Sequence, residues 1–136
     1  TGGLTAHRIT NVPGASKYFL GGVVSYSNQS KMAILGVSPE TLKKHGAVSG
    51  QTAIEMAQGI RRVTKADYAV SITGIAGPTG GTTDKPVGTF HVALATHTGN
   101  WEKKFFFPIN RDWFKLLASS IAIDRVRREL VGAPAS

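Results

Sequence analysis

The chain has 136 residues, 41% of them hydrophobic, with sixteen Lys and Arg against eight Asp and Glu and no cysteine. That length suits one domain with a buried core, and the missing thiol excludes disulfides, cysteine nucleophiles and thiolate metal sites. No apolar run approaches the ~20 residues that cross a bilayer and no charged-then-apolar leader is seen, so a cytoplasmic location is expected.

In chain order, Leu4 to Thr10 reads as a short helix after "TGG", and "NVPGAS" as a turn. "YFLGGVVSY" is β-branched and aromatic and predicts a strand ending near Ser25. "SNQSKMAIL" predicts a helical turn capped by Ser27 or Asn28, and "GVSPETLKKHG" a helix with Ser38 as cap, Pro39 first and Gly46 as stop. "SGQTAIEMAQGIRRVT" is the clearest helix, with Ser49 as cap and Ala53, Met56, Ala57, Ile60 and Val63 on one face. "YAVSIT" predicts a buried strand, and "GTFHVALAT" with "WEKKFFFP" a hairpin across "HTGN". "NRDWFKLLASSIAIDRVRREL" predicts a long helix capped at Asn110 or Asp112, with Phe114, Leu117, Ile121 and Val126 for the core. Helices alternating with strands predict an α/β three-layer domain over residues 1–131, followed by a flexible tail at 132–136.

Two segments carry candidate chemistry. The loop "TGIAGPTGGTTDKPVGT" holds five glycines whose backbone N–H groups could form an anion nest, with Lys85 and several threonines as added donors. It is neither a Walker loop nor a dinucleotide fingerprint. In "SYSNQSK", Tyr26 is expected at the carboxyl end of a strand and Lys31 one turn into the next helix, where α/β sheets bind ligands. A lysine there with a lowered pKa could deprotonate a serine; from composition alone, a snorkelling surface lysine explains it as well. His7, His45, His91 and His97 show no metal-ligand spacing and no carboxylate beside them, so no metal or other cofactor is expected and His91 is expected to be packed. The basic pairs Lys43-Lys44, Arg61-Arg62, Lys103-Lys104 and Arg127-Arg128 are dispersed, as on solvated faces.

The segments "TGG", "GGVVSYSNQSK", "LGVSPETLKKHGAVS", "ADYAVSITGIAGPTGG" and "KPVGT" stand in the order and spacing of the CinA C-terminal domain family, which the chain resembles from Thr1 to about Leu130. The resemblance implies an α/β/α sandwich with a mixed, mostly parallel sheet, its first strand missing here. It implies the PncC-type activity, hydrolysis of the carboxamide of nicotinamide mononucleotide to nicotinic acid mononucleotide and ammonia. The nucleophilic Ser of the family pattern would lie two positions before Thr1. Tyr26 and Lys31 would activate it, and Thr1, Gly2, Gly3, Asn28, Thr73, Gly74, Gly77, Gly81 and Lys85 would bind substrate. A homo-oligomer and fusion to an N-terminal nucleotide-processing domain are expected, with no membrane partner. Two alternatives stand beside this: an N-terminal threonine hydrolase using its own α-amine, and a non-enzymatic module of competence or DNA damage that binds a recombination protein or DNA.

Overall fold

Four of the five α-helices among the described residues start on a polar side chain that accepts a backbone N–H from the first turn. Ser27 accepts from Ser30 at the head of α2 (Asn28–Leu35), and Ser38 from Glu40 at α3 (Pro39–His45). Ser49 accepts from Thr52 at α4 (Gly50–Thr64), and Asn110 from Trp113 at α5 (Arg111–Leu130). Each bond satisfies a donor that a helix start leaves orphaned. The short α1 (Leu4–Thr10) has Gly3 as its cap, in the left-handed region and without a side-chain bond. The computed structural model describes residues 1–135, so of the expected tail only Ser136 lies outside the described residues.

The strands β1 (Ala69–Gly74), β2 (Thr89–Ala95) and β3 (Asn100–Phe106) form one sheet in that order. Both pairings are antiparallel, with Ile72 opposite Val92 and Val92 opposite Lys103. This corrects the expectation of a mostly parallel sheet. A parallel pair needs a crossover, usually a helix. Here α4 precedes β1, α5 follows β3, and a helix-free loop and a tight hairpin join the strands.

The three layers are present. Phe90 and Val92 face α5 and pack with Phe114, Ala118 and Ala122; the Phe90 ring stacks on Phe105 at 5.1 Å and meets Phe114 edge-on at 5.2 Å. Ala93 and Ala95 face the other way, against Ala53 and Ala57 of α4. Outside α4, Leu35 and Val37 pack on Met56, so α2 is held by α4 and not by the sheet. Val63 is exposed, so the apolar face of α4 ends one turn earlier than its spacing predicts. In α5 Phe114, Ala118, Ser119, Ala122 and Arg125 take the buried positions, while Leu117, Ile121 and Val126 flank them half-buried.

The strand expected over residues 18–26 is also corrected. Its burial alternates as in a strand: Tyr18, Leu20, Val24 and Tyr26 point out, while Val23 packs inward and Ser25 is buried. No described strand lies alongside to exchange hydrogen bonds, and the segment is not part of the sheet. Among the described residues no helix is long and apolar enough to cross a membrane.

Candidate active site

Lys31 sits in the first turn of α2, which the Ser27 cap starts and the packing of Leu35 on α4 fixes. Its side chain is turned inward and is 7% exposed. The ammonium nitrogen donates to the carbonyl oxygen of Ser25 at 2.8 Å. Burial disfavours the charged amine and lowers its pKa from the ordinary lysine range. The snorkelling lysine that composition allowed is therefore not what the fold builds.

Tyr26 departs from its expected place. It lies in the unpaired extended segment, 76% exposed, and its hydroxyl accepts from Nη2 of Arg111 at 3.2 Å rather than meeting Lys31. The same guanidinium donates from Nη1 to the carbonyl of Gly77 at 2.8 Å. Arg111 thus ties the glycine loop to the segment before α2. It is the first residue of α5, where the helix dipole disfavours a cation. Sequence reading overlooked it; a basic residue at a helix start, four positions before Lys115, was the available signal.

Thr1, Gly2 and Gly3 come to the same place. Gly2 and Gly3 both have positive φ, 62° and 91°, and the turn closes with the Leu4 N–H donating to the Thr1 carbonyl. Among the described residues neither glycine N–H has an acceptor. The backbone nitrogen of Thr1 lies within electrostatic range of Lys115, Arg111 and Lys31. Residues far apart in sequence thereby converge: Thr1, Lys31, Arg111 and Lys115, with Tyr26 and Gly77 held by Arg111.

The rest of the glycine loop is folded tightly on itself. A Cβ at Gly77 would lie 2.4 Å from the Val87 side chain, and one at Gly81 2.6 Å from the Val87 nitrogen. These glycines let the loop fold back on Pro86–Val87. Several loop N–H groups are spent internally: Ile75 donates to Thr89, Thr82 to Lys85 and Gly88 to Ile75. Lys85 itself donates to the carbonyl of His45 at the end of α3, and Thr73 donates to Ala47 at 2.6 Å. Lys85 and Thr73 thus tie the loop to the end of α3 and the residues after it, while Gly74 and Gly81 allow close approach of Phe90 and Val87; none of the four bonds to Lys31 or Arg111. Asn28 is the exposed first residue of α2; the capping role is Ser27's.

His91 is packed as expected, but it does have a carboxylate beside it. Its Nδ1 is 2.6 Å from Oε1 of Glu102, a diagonal neighbour on β3. No group of three His, Asp or Glu side chains among the described residues is placed to hold a metal ion.

Comparison with known proteins agrees with the motif pattern. The model of the CinA C-terminal domain matches residues 1–130. A protein of Acetivibrio thermocellus described as competence-damage inducible is 52% identical over 94% of this chain and 31% of its own length. The nicotinamide-nucleotide amidohydrolase PncC of Shewanella oneidensis is 47% identical over 96% of this chain and 31% of its own. The chain thus spans about a third of the curated relatives it matches. The crystal structure of a competence/damage inducible protein, CihA, from Agrobacterium tumefaciens superposes with a TM-score of 0.89 at 39% identity, covering 92% of this chain and 77% of that one.

Proposed function

The chain belongs to the CinA C-terminal domain family, and from that premise we propose that it hydrolyses the carboxamide of nicotinamide mononucleotide, giving nicotinic acid mononucleotide and ammonia. The observation that carries this reading is the inward-turned Lys31, whose amine is aimed by the Ser25 carbonyl and whose pKa is lowered by burial. The relative named as a nicotinamide-nucleotide amidohydrolase supports the choice of substrate.

In the proposed mechanism a serine upstream of Thr1 is the nucleophile. Neutral Lys31 takes its proton as the oxygen attacks the carboxamide carbon. The N–H groups of Gly2 and Gly3, which have no acceptor among the described residues, face the developing oxyanion. Losing one such donor costs about 3 kcal/mol of barrier. The protonated Lys31 then passes its proton to the departing nitrogen, which leaves as ammonia, and water releases the acid from the ester. Arg111, held by the Gly77 carbonyl and the Tyr26 hydroxyl, receives the anionic end of the substrate. Thr73, Gly74, Gly81 and Lys85 act by shaping the loop that presents Gly77.

The test is ammonia release from nicotinamide mononucleotide by the protein carrying its natural residues before Thr1. Turnover that disappears in Lys31→Ala, with the fold kept, supports the reading. A Lys31→Ala protein that still releases ammonia removes it.

A further inference from the structure

Arg125 lies about 21 Å along α5 from Arg111 and has no part in the proposed mechanism. It occupies an inward-facing helix position and is 6% exposed. Its Nη2 donates to Glu129, one turn later. Its Nε and Nη1 are buried and have no acceptor among the described residues. The Trp101 ring lies across the guanidinium, its centroid 5.0 Å from Cζ. Such a contact satisfies the flat face of an arginine but none of the N–H groups in its plane.

The surroundings of this side chain form a cavity. Helix α5 packs over β1 and β2. On the same side of the sheet Trp101, Lys103 and Phe105 of β3 stand beside it, opposite Leu94, Val92 and Phe90. A groove of about 320 Å³ runs between them, lined by those three β3 side chains and by Ile121 and Arg125. That volume suits a small molecule. Trp101, Phe105 and Ile121 give it an apolar bed continuous with the core. Lys103, Arg125 and Arg128 line it against one carboxylate, Asp124, which accepts from Arg127 and Arg128. The groove is therefore apolar below and positive at its sides.

Buried N–H donors without an acceptor cost free energy that an anionic oxygen recovers. Ring walls with one guanidinium and one ammonium fit a carboxylate on a flat apolar body better than a phosphate, which needs more donors and no apolar bed. Trp101 stands on the outermost strand of the sheet, so its indole is free to turn outward without displacing a further strand.

We propose that the groove between β3 and α5 is a binding site for a small aromatic carboxylate, which displaces the Trp101 indole and accepts from Nη1 of Arg125. Lys103 supplies the second positive charge. The site stands apart from the candidate active site and does not depend on the reading given to it.

The experiment measures binding of 3-phenylpropionate, its amide and acetate to the 136-residue chain by calorimetry and tryptophan fluorescence. Trp101 and Trp113 are the two tryptophans, so Trp113→Phe, at an exposed position, leaves Trp101 as the reporter. The carboxylate should bind with a Kd of about a millimolar or below. It should bind at least about tenfold more tightly than the amide, and should shift the Trp101 emission. Acetate lacks the apolar body and should bind at least about tenfold more weakly. Arg125→Met, checked for its melting temperature, should lose about tenfold for the carboxylate and nothing for the amide. The exposed-site control Lys43→Gln and the active-site variant Lys31→Ala should bind as wild type does. Equal affinity for carboxylate and amide, or no binding of either, overturns the site whether or not Arg125→Met folds. Undiminished carboxylate binding in folded Arg125→Met overturns it as well. Binding that disappears in Lys31→Ala places the probe in the candidate active site and overturns the groove. A Trp101 emission unmoved at saturation overturns the displacement of the indole.

Discussion

The ammonium nitrogen of Lys31 donates to the carbonyl oxygen of Ser25, six residues earlier, at 2.8 Å, with the lysine largely buried. One hydrogen bond to a fixed carbonyl aims the amine, and burial favours its neutral form. A neutral amine so held keeps its lone pair for a proton, as a general base requires. The acidic limb of kcat/KM should therefore fall below the ordinary lysine value of 10.5, and Lys31→Ala should lose at least a hundredfold in kcat. A pH–rate profile of the active protein measures the first, and steady-state ammonia release the second.

The same burial makes a stability prediction with a definite sign. Unfolded Lys31 keeps its proton up to about 10.5, whereas folded Lys31 gives it up earlier. Between those two values the unfolded state binds more protons, so raising the pH favours folding. Below the folded value the full penalty of burying the charge remains. Lys31→Met should thus be more stable than wild type at pH 7, with the difference closing as pH rises toward 10.5. Urea unfolding of both proteins between pH 7 and 10 gives the answer; a gap that widens with pH contradicts the assignment.

Arg111 holds two elements at once, through Gly77 and through Tyr26. Removing it should raise KM for the nucleotide by about tenfold to a hundredfold, since charge-assisted bonds of this kind are worth about 1.5–3 kcal/mol. Arg111→Lys should recover little, because the Gly77 and Tyr26 oxygens are held by two separate guanidinium nitrogens, whose spread a single ammonium nitrogen does not reproduce. Tyr26→Phe removes only the hydroxyl and should shift KM alone. If it moves the acidic limb of the pH profile instead, Tyr26 is coupled to Lys31 after all, as the family resemblance implies.

How much of this was legible beforehand follows the range of the interactions involved. Ser27, Ser38, Ser49 and Asn110 act on backbone groups within three residues, and the helices they start stand where the sequence places them. The hairpin of β2 and β3 was equally local. The 18–26 segment was not: its alternation is real, but a strand exists only through a neighbour, which composition does not encode. Lys31 could be singled out from its motif, whereas Arg111 meets Tyr26 across 85 positions and no local pattern joins them. The glycine loop is ambiguous for another reason. Glycine is needed as much for close approach, here of Val87 to Gly77 and Gly81, as for an anion nest.

Gly59 provides a case in which propensity and packing predict opposite signs. Alanine is the better helix former by about 1 kcal/mol, which alone would favour Gly59→Ala in α4. A Cβ there, however, would lie 2.0 Å from the carbonyl oxygen of Leu35, which also accepts from Arg62 at 3.0 Å. The clash is with backbone, so α2 has to move, and overpacking costs about 1–3 kcal/mol. Packing should win, giving a lower unfolding free energy in urea. Because α2 carries Lys31, turnover should fall as well, by more than the stability change explains.

Glu102 is the last test, and it concerns support rather than chemistry. Its carboxylate accepts from His91 across the edge of the sheet and approaches the first turn of α4, 2.9 Å from where a Gly50 Cβ would lie. An anion at a helix start is favoured by the dipole, and the buried His91 needs an acceptor or donor of its own. Glu102→Ala should strand that ring and cost about 1–3 kcal/mol. Glu102→Gln keeps the hydrogen bond but not the charge, and should cost less. Urea unfolding of the two variants separates the terms. Neither should change the pH at which activity rises, since neither residue bonds to Lys31 or Arg111; a shift in that limb would join the His91 pair to the catalytic pocket and require the proposed mechanism to be redrawn.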